Sequence, residues 1–358
     1  MVDLNDSTAI KNLDTHRVAD SISSFPSQIK QAWAEVSRVS VPEEYRSVKN
    51  IVVAGMGGST LGIDVLQNLF KESLSLPLVI NNHYQLPGFV DSESLVLLLS
   101  YSGTTEEVIA AANSAKEKQA KILGICVGGQ LGDFLKQSSY PAYIFQPLAN
   151  PSNQPRLGLG YTLTGSLAFL NKLGFLAVSS ADIEGSISFL TNLTSNLLPA
   201  VSVSNNLAKQ TAIALSEKEI LIVGSEFLAG NAHVFANQTN ENSKNFAVYF
   251  VLPELNHHLL EGLTKPESLR NSLIFVLLES ELYSVKIKKR FTVTKEVLNR
   301  QAIPNLSLKL TGSSKLNQAF EGIVLSSWIT FYLGTSYNID ASAIPWVDYF
   351  KKKLAEGS

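Results

Sequence analysis

Short runs of β-branched or leucine residues alternate with longer stretches of helical spacing, and this alternation limits the possible folds more than any other feature. In the first half, residues 51–54, 95–99, 121–127 and 142–145 read as strands, with helical patterns over 60–72, from about 106 to 115, and over 157–173. In the second half, 219–223, 246–251, 272–279 and 306–310 read as strands. Helical patterns there run to about 240 and cover 315–333 and 344–354. Strand–helix–strand order of this kind predicts parallel sheets, so the expected class is α/β. A Ser-, Asn- and Thr-rich stretch over 178–205 separates the halves, and its Ile183, Ile187, Leu190 and Leu193 keep helical spacing. With 358 residues, 45% of them hydrophobic, the chain has enough apolar material for two domains. The expected division is an N-terminal helical segment (1–44), a first domain (45–180), a linker helix (181–203) and a second domain with a C-terminal helix (204–358).

A net charge of −2 argues against a general nucleic-acid binder, and the basic cluster Lys286 to Arg290 reads as a solvated face. A single cysteine, Cys126, cannot form an internal disulfide and suits the reducing cytoplasm. The polar opening segment has no apolar centre of a leader, and the longest apolar runs are too short to span a bilayer. The expectation is a cytoplasmic protein with neither membrane nor nucleic acid as partner.

Two turns at expected strand ends carry the chemistry. Gly55-Met56-Gly57-Gly58-Ser59 lies between a strand and a helix, where glycines admit a ligand to the backbone and a helix start offers free N–H groups. It lacks the lysine of a P-loop and the third glycine of a dinucleotide fingerprint. Ser100-Tyr101-Ser102-Gly103-Thr104-Thr105 also follows a strand and opens a helix, with four hydroxyls in six positions. Helix capping alone would explain either turn. In a doubly wound sheet, however, neighbouring strand ends share one crevice, so the pair reads as a cradle for a phosphate dianion.

These turns, with Asp64 downstream, resemble the SIS-domain signature, and the chain is most similar to the bifunctional phosphoglucose/phosphomannose isomerases from near Phe25 to Lys351. The resemblance implies two SIS-type domains, flavodoxin-like and three-layered αβα, with parallel sheets. It implies an aldose–ketose isomerase of phosphorylated hexoses, working through an enediol without a cofactor. It also implies a homodimer with shared active sites. Ser59, Ser100, Ser102 and Thr105, with Gly57 and Gly58, would then hold the 6-phosphate.

Isomerisation needs a carboxylate base, a group that opens the sugar ring, and positive charge near the enediolate. On its own, Glu241 between Asn and Lys reads as a surface acid; the resemblance makes it the base. The resemblance assigns ring opening to His257, contributed by the partner subunit, with His258 standing where the family has Asn. Adjacent histidines rarely converge on one ion, and His16, His83 and His233 add no ligand spacing, so no metal is expected. Lys351 matches the family's C-terminal lysine, and Arg156, after Pro155, matches an arginine near the reacting end of the sugar. A sensor that binds phosphosugar without turnover, or an isomerase for another phosphosugar, would share the cradle. Only the isomerases would need Glu241, His257 and Lys351.

Overall fold

The computed structural model describes residues 2–356. Three helices, α1 (Ser7–Leu13), α2 (Val18–Ser23) and α3 (Phe25–Val36), precede a parallel sheet. Its strands are β1 (Asn50–Gly55), β2 (Leu78–Asn81), β3 (Ser94–Leu99), β4 (Lys121–Cys126) and β5 (Ala142–Ile144), in the order β2-β1-β3-β4-β5. That order is the flavodoxin-like one, with its switch point between β1 and β3. Helices α4 (Gly58–Leu69), α5 (Glu106–Glu117), α6 (Gly129–Gln137) and α7 (Leu159–Lys172) make the crossovers and cover the sheet. Every residue of β3 is buried, as expected for a strand with helices on both faces.

Helix α8 (Ser180–Ser195) opens on a capping box between Ser179 and Asp182. It is followed by α9 (Leu207–Leu215) and a second parallel sheet. Strands β6 (Glu219–Ser225), β7 (Ala247–Leu252), β8 (Leu273–Glu279) and β9 (Asn305–Lys309) lie in the order β7-β6-β8-β9, repeating the first sheet without its last strand. Helix α10 (Ala229–Gln238) joins β6 to β7. The single turns α11 (Leu259–Gly262) and α12 (Leu269–Ser272) join β7 to β8, and α13 (Val285–Arg300) joins β8 to β9. Then come α14 (Lys315–Ser336) and α15 (Pro345–Ala355). Helix α14 is buried from Gln318 to Ser336, which is why apolar residues occur on every side of it, among a few hydrogen-bonded polar ones. Among the described residues, no helix is long and apolar enough to cross a membrane.

The two halves meet along α4 and α10. A Cβ at Gly230 would lie 2.5 Å from the Val65 nitrogen and 2.6 Å from the Asp64 carbonyl, so only glycine lets these helices touch. Beside the contact, His233 Nδ1 sits 2.8 Å from Asp64 Oδ2. Since α4 starts at the glycine turn and α10 leads to Glu241, this crossing sets the distance between that turn and Glu241. Gly230→Ala is expected to cost at least about 2 kcal/mol in urea unfolding, through overpacking against backbone that cannot yield.

Candidate active site

The two turns flank the switch point between β1 and β3. Gly57 adopts φ 49° ahead of α4, a conformation in which a side chain would be strained. Ser59 is buried and its Oγ accepts the Tyr101 N–H at 3.0 Å, tying one turn to the other. Ser100 Oγ accepts the Gly103 N–H (3.0 Å) and shares a hydrogen with Thr105 Oγ1 (2.8 Å). Ser102 and Thr104 pair in the same way at 3.0 Å and face solvent. Gly103, at φ 73°, packs so closely on Gly128 that a Cβ would fall 1.8 Å from its carbonyl oxygen.

Arg156 connects this cradle to Glu241. A Cβ on Gly58 would lie 3.0 Å from the Arg156 nitrogen, so the glycine turn rests on the Arg156 backbone. That backbone is itself propped by buried Gln28, whose amide donates to Leu157 O (2.8 Å) and accepts from Gly160 N (3.1 Å). The Arg156 side chain is only 2% exposed. Its Nε donates to Asn242 Oδ1 (2.7 Å), Nη1 to Gln154 Oε1 (2.9 Å), and Nη2 to the carbonyls of Ala341 (2.7 Å) and Ser342 (2.9 Å). Nη1 also reaches Glu241 Oε2 at 3.3 Å. Four of the five guanidinium N–H groups thus make hydrogen bonds, and Nη1 faces the Glu241 carboxylate as an ion pair. Burial lowers the Arg156 pKa and the Glu241 carboxylate pulls it back up.

Glu241 stands in a π-helical turn, Thr239–Ser243, that extends α10. The wider turn buries Asn242 and Ser243 and leaves the Glu241 side chain 32% exposed, partnered yet open to a ligand. Asn242 Nδ2 donates to Thr330 Oγ1 (3.0 Å). Gly334 of α14 makes room for the turn, since a Cβ there would lie 2.6 Å from the Asn242 carbonyl oxygen.

His257 is not brought to Glu241 within one chain. Glu241 precedes β7 and His257 follows it, so the strand's length of roughly 17 Å lies between them. Buried Leu255 and the bond from Asn256 Nδ2 to Thr294 Oγ1 (2.8 Å) anchor the His257 turn, and both His257 and His258 face solvent. Lys351 is exposed on α15, and among the described residues no hydrogen bond or ion pair joins it to the Arg156 cluster. Among the described residues, no group of three or more His, Cys, Asp or Glu is placed to hold a metal.

The second sheet has the same crevice but has filled it. Ile220 pairs with Ile274 as Ile51 pairs with Leu95, which sets Glu226 in the place of Gly57 and Ser284 in the place of Thr105. Glu226 keeps the left-handed backbone (φ 43°), and its carboxylate accepts from Ser284 N (3.1 Å) and Oγ (2.5 Å). An internal carboxylate therefore occupies the helix start that, in the first sheet, is left to hydroxyls.

Sequence reasoning passed over Gln154, Asn242, Lys244 and Asp340, all of which meet around Arg156 and Glu241. Their only sequence signal is adjacency to residues already singled out.

Residues 44–146 match the SIS domain family, and residues 204–354 match the bacterial phospho-glucose isomerase C-terminal SIS domain. The bifunctional phosphoglucose/phosphomannose isomerase of Caldicellulosiruptor bescii is 32% identical over 342 residues, covering 94% of this chain and 98% of that one. The enzyme of the same name from Aquifex aeolicus is 28% identical, covering 90% and 94%. Among solved structures, a hypothetical protein from Thermus thermophilus superposes with a TM-score of 0.75 at 19% identity, covering 98% of this chain and 93% of that chain.

Replacing Arg156 by Met would strand the Asn242, Ala341 and Ser342 oxygens in a dry interior. The expected loss is about 3 kcal/mol or more by chemical unfolding.

Proposed function

Because the chain belongs to the bifunctional phosphoglucose/phosphomannose isomerase family, we propose that it interconverts fructose 6-phosphate with glucose 6-phosphate and mannose 6-phosphate, with Glu241 as the base. The observation that carries this assignment is the placement of Arg156: its backbone touches the glycine turn and its guanidinium touches Glu241. One residue thus spans from the phosphate end of a bound sugar to its reacting end.

In this reading Ser59, Ser100, Ser102 and Thr105, with the Gly57 and Gly58 backbone, hold the 6-phosphate as neutral donors at a helix start. The first domain (45–180) supplies the cradle and the second (204–358) the base. Glu241 takes the proton from C1 of the open-chain ketose and returns it to C2, passing through a cis-enediol. Delivery to either face of the planar C2 gives the two epimeric aldoses. Arg156 is already tied to Asn242, Gln154, Ala341 and Ser342 by hydrogen bonds and to Glu241 by an ion pair. Its part is to orient the Glu241 carboxylate and to supply positive charge to the developing oxyanion through a medium of low dielectric.

Ring opening falls to His257 of a second copy, with Lys351. Several features support a homodimer. His257 lies a strand's length from the base of its own chain, and β7 is an edge strand exposing Val248 and Tyr249 just beyond an exposed Phe246. Helix α15 exposes Trp346 (81%), Tyr349, Phe350 and Leu354 beside Lys351. Aromatic surface of this extent seeks a partner. A phosphorylated metabolite as substrate and one buried thiol, Cys126, fit a cytoplasmic setting.

Glu241→Gln is expected to bind fructose 6-phosphate and lose about three orders of magnitude in kcat. His257→Ala should be similarly impaired. Mixing and re-pairing the two inactive variants should restore activity, because each heterodimer then holds one site with both groups intact. Absence of complementation between folded, exchanging variants would count against shared sites.

A further inference from the structure

Lys244 closes the turn that carries Glu241, in a left-handed conformation (φ 53°). The residue is exposed as a whole, but its ammonium is turned onto three carbonyl oxygens: Glu241 at 2.9 Å, Asp340 at 2.8 Å and Ala341 at 3.4 Å. The Ala341 carbonyl also accepts from Arg156. The short strap 340–342 is therefore held by two cations. One of them also bonds the backbone of the base and the other its carboxylate. Asp340 completes the strap, accepting from Ser342 N (2.8 Å) and Oγ (2.7 Å) and facing His16 Nδ1 at 3.1 Å. The strap leads into α15, which carries Lys351.

We propose that Lys244 is a positioning residue: by joining the Glu241 carbonyl to the 340–342 strap, it fixes the base and couples it to the seating of the C-terminal helix. This rests on the reading of Glu241 as the base. An ammonium has three N–H groups and no lone pair, which suits three converging carbonyls. A neutral amine would turn a lone pair on one of them, so deprotonation loosens the clasp.

The charged groups around Lys244 are Arg156, Asp340 and Glu241, with His16 behind Asp340. Desolvation, then the Arg156 guanidinium, pushes its pKa down to about 8, with Asp340 and Glu241 pulling the other way. The folded value lies below the usual 10.5, so across that window the unfolded chain binds more protons, and this group's contribution to stability rises with pH. Activity and stability should therefore move in opposite directions above about pH 8, which a purely structural lysine would not produce.

The test compares kcat, KM and melting temperature for wild type, Lys244→Met, Lys244→Arg and Glu241→Gln, with fructose 6-phosphate from about pH 6 to about pH 10. In the wild type, kcat should fall above about pH 8 with no parallel fall in melting temperature. Lys244→Met should lose about tenfold or more in kcat, with KM within about threefold, and should lack the alkaline limb. Lys244→Arg should retain most of the neutral-pH kcat and move the limb upward, because arginine does not titrate in this range. An active Glu241→Gln would remove the base assignment on which the proposal stands. An inactive Glu241→Gln beside a Lys244→Met with wild-type kcat and limb would overturn the role of Lys244 alone. Should Lys244→Met fail to fold, a folded Lys244→Arg whose limb stays near pH 8 overturns the proposal equally.

Discussion

The buried guanidinium of Arg156 is the constraint on which the candidate site depends. Burying such a charge costs several kcal/mol unless every donor is met and a counter-charge stands near. Here Asn242, Gln154, Ala341 and Ser342 accept four hydrogen bonds from it and the Glu241 carboxylate supplies the counter-charge. Each of these bonds fixes something else in place. Asn242 sets the turn that carries Glu241, the Ala341 and Ser342 carbonyls hold the approach to α15, and the Arg156 backbone supports Gly58. Gln28 and α3 prop that backbone from the N-terminal side. A change at any of these points reaches the carboxylate through one arginine.

The two halves share a topology and have divided the chemistry. In the first, a glycine and a set of hydroxyls leave the switch-point crevice open to an anion; in the second, Glu226 closes it through Ser284. Gly57 and Glu226 both take a positive φ at this position, one with no side chain and the other with a carboxylate. The second half contributes the far end of α10, where a π-helical turn lifts Glu241 toward Arg156. Topology then puts His257 at the opposite end of β7, so a site that uses both groups must draw them from two chains.

Much of the architecture was legible in the sequence. Parallel strands buried on both faces must be apolar throughout, and β1, β3, β4, β6 and β8 show it plainly. Strand β2 was not visible, being four residues long with only Leu78 and Asn81 buried. Helix α13 was obscured because its polar, lysine-rich face outweighs the spaced Ile287, Phe291 and Leu298. The two turns were legible as a cradle because glycine and hydroxyl density reports local backbone geometry. Surroundings of the base were not: Asn242 and Lys244 read as solvent-loop residues until Arg156, Gly334 and the 340–342 strap, far away in sequence, close on them. Nor did the sequence show that Arg156 is buried and tied by four hydrogen bonds and an ion pair to Glu241, which changes its proposed part from touching the enediolate to holding the base.

The most direct test of the central claim, proton transfer at C1 and C2 by a base beside Arg156, is proton NMR of fructose 6-phosphate incubated with the enzyme in heavy water. The account predicts that glucose 6-phosphate and mannose 6-phosphate both appear, with solvent deuterium at C2 in part of each, because the partly exposed Glu241 carboxylate exchanges its proton between steps. Aldoses formed with no deuterium at C2 after many turnovers would contradict transfer through a solvent-exchanging carboxylate and leave direct hydrogen transfer or a base sealed from water. Recovery of unchanged, unlabelled fructose 6-phosphate would contradict the account altogether.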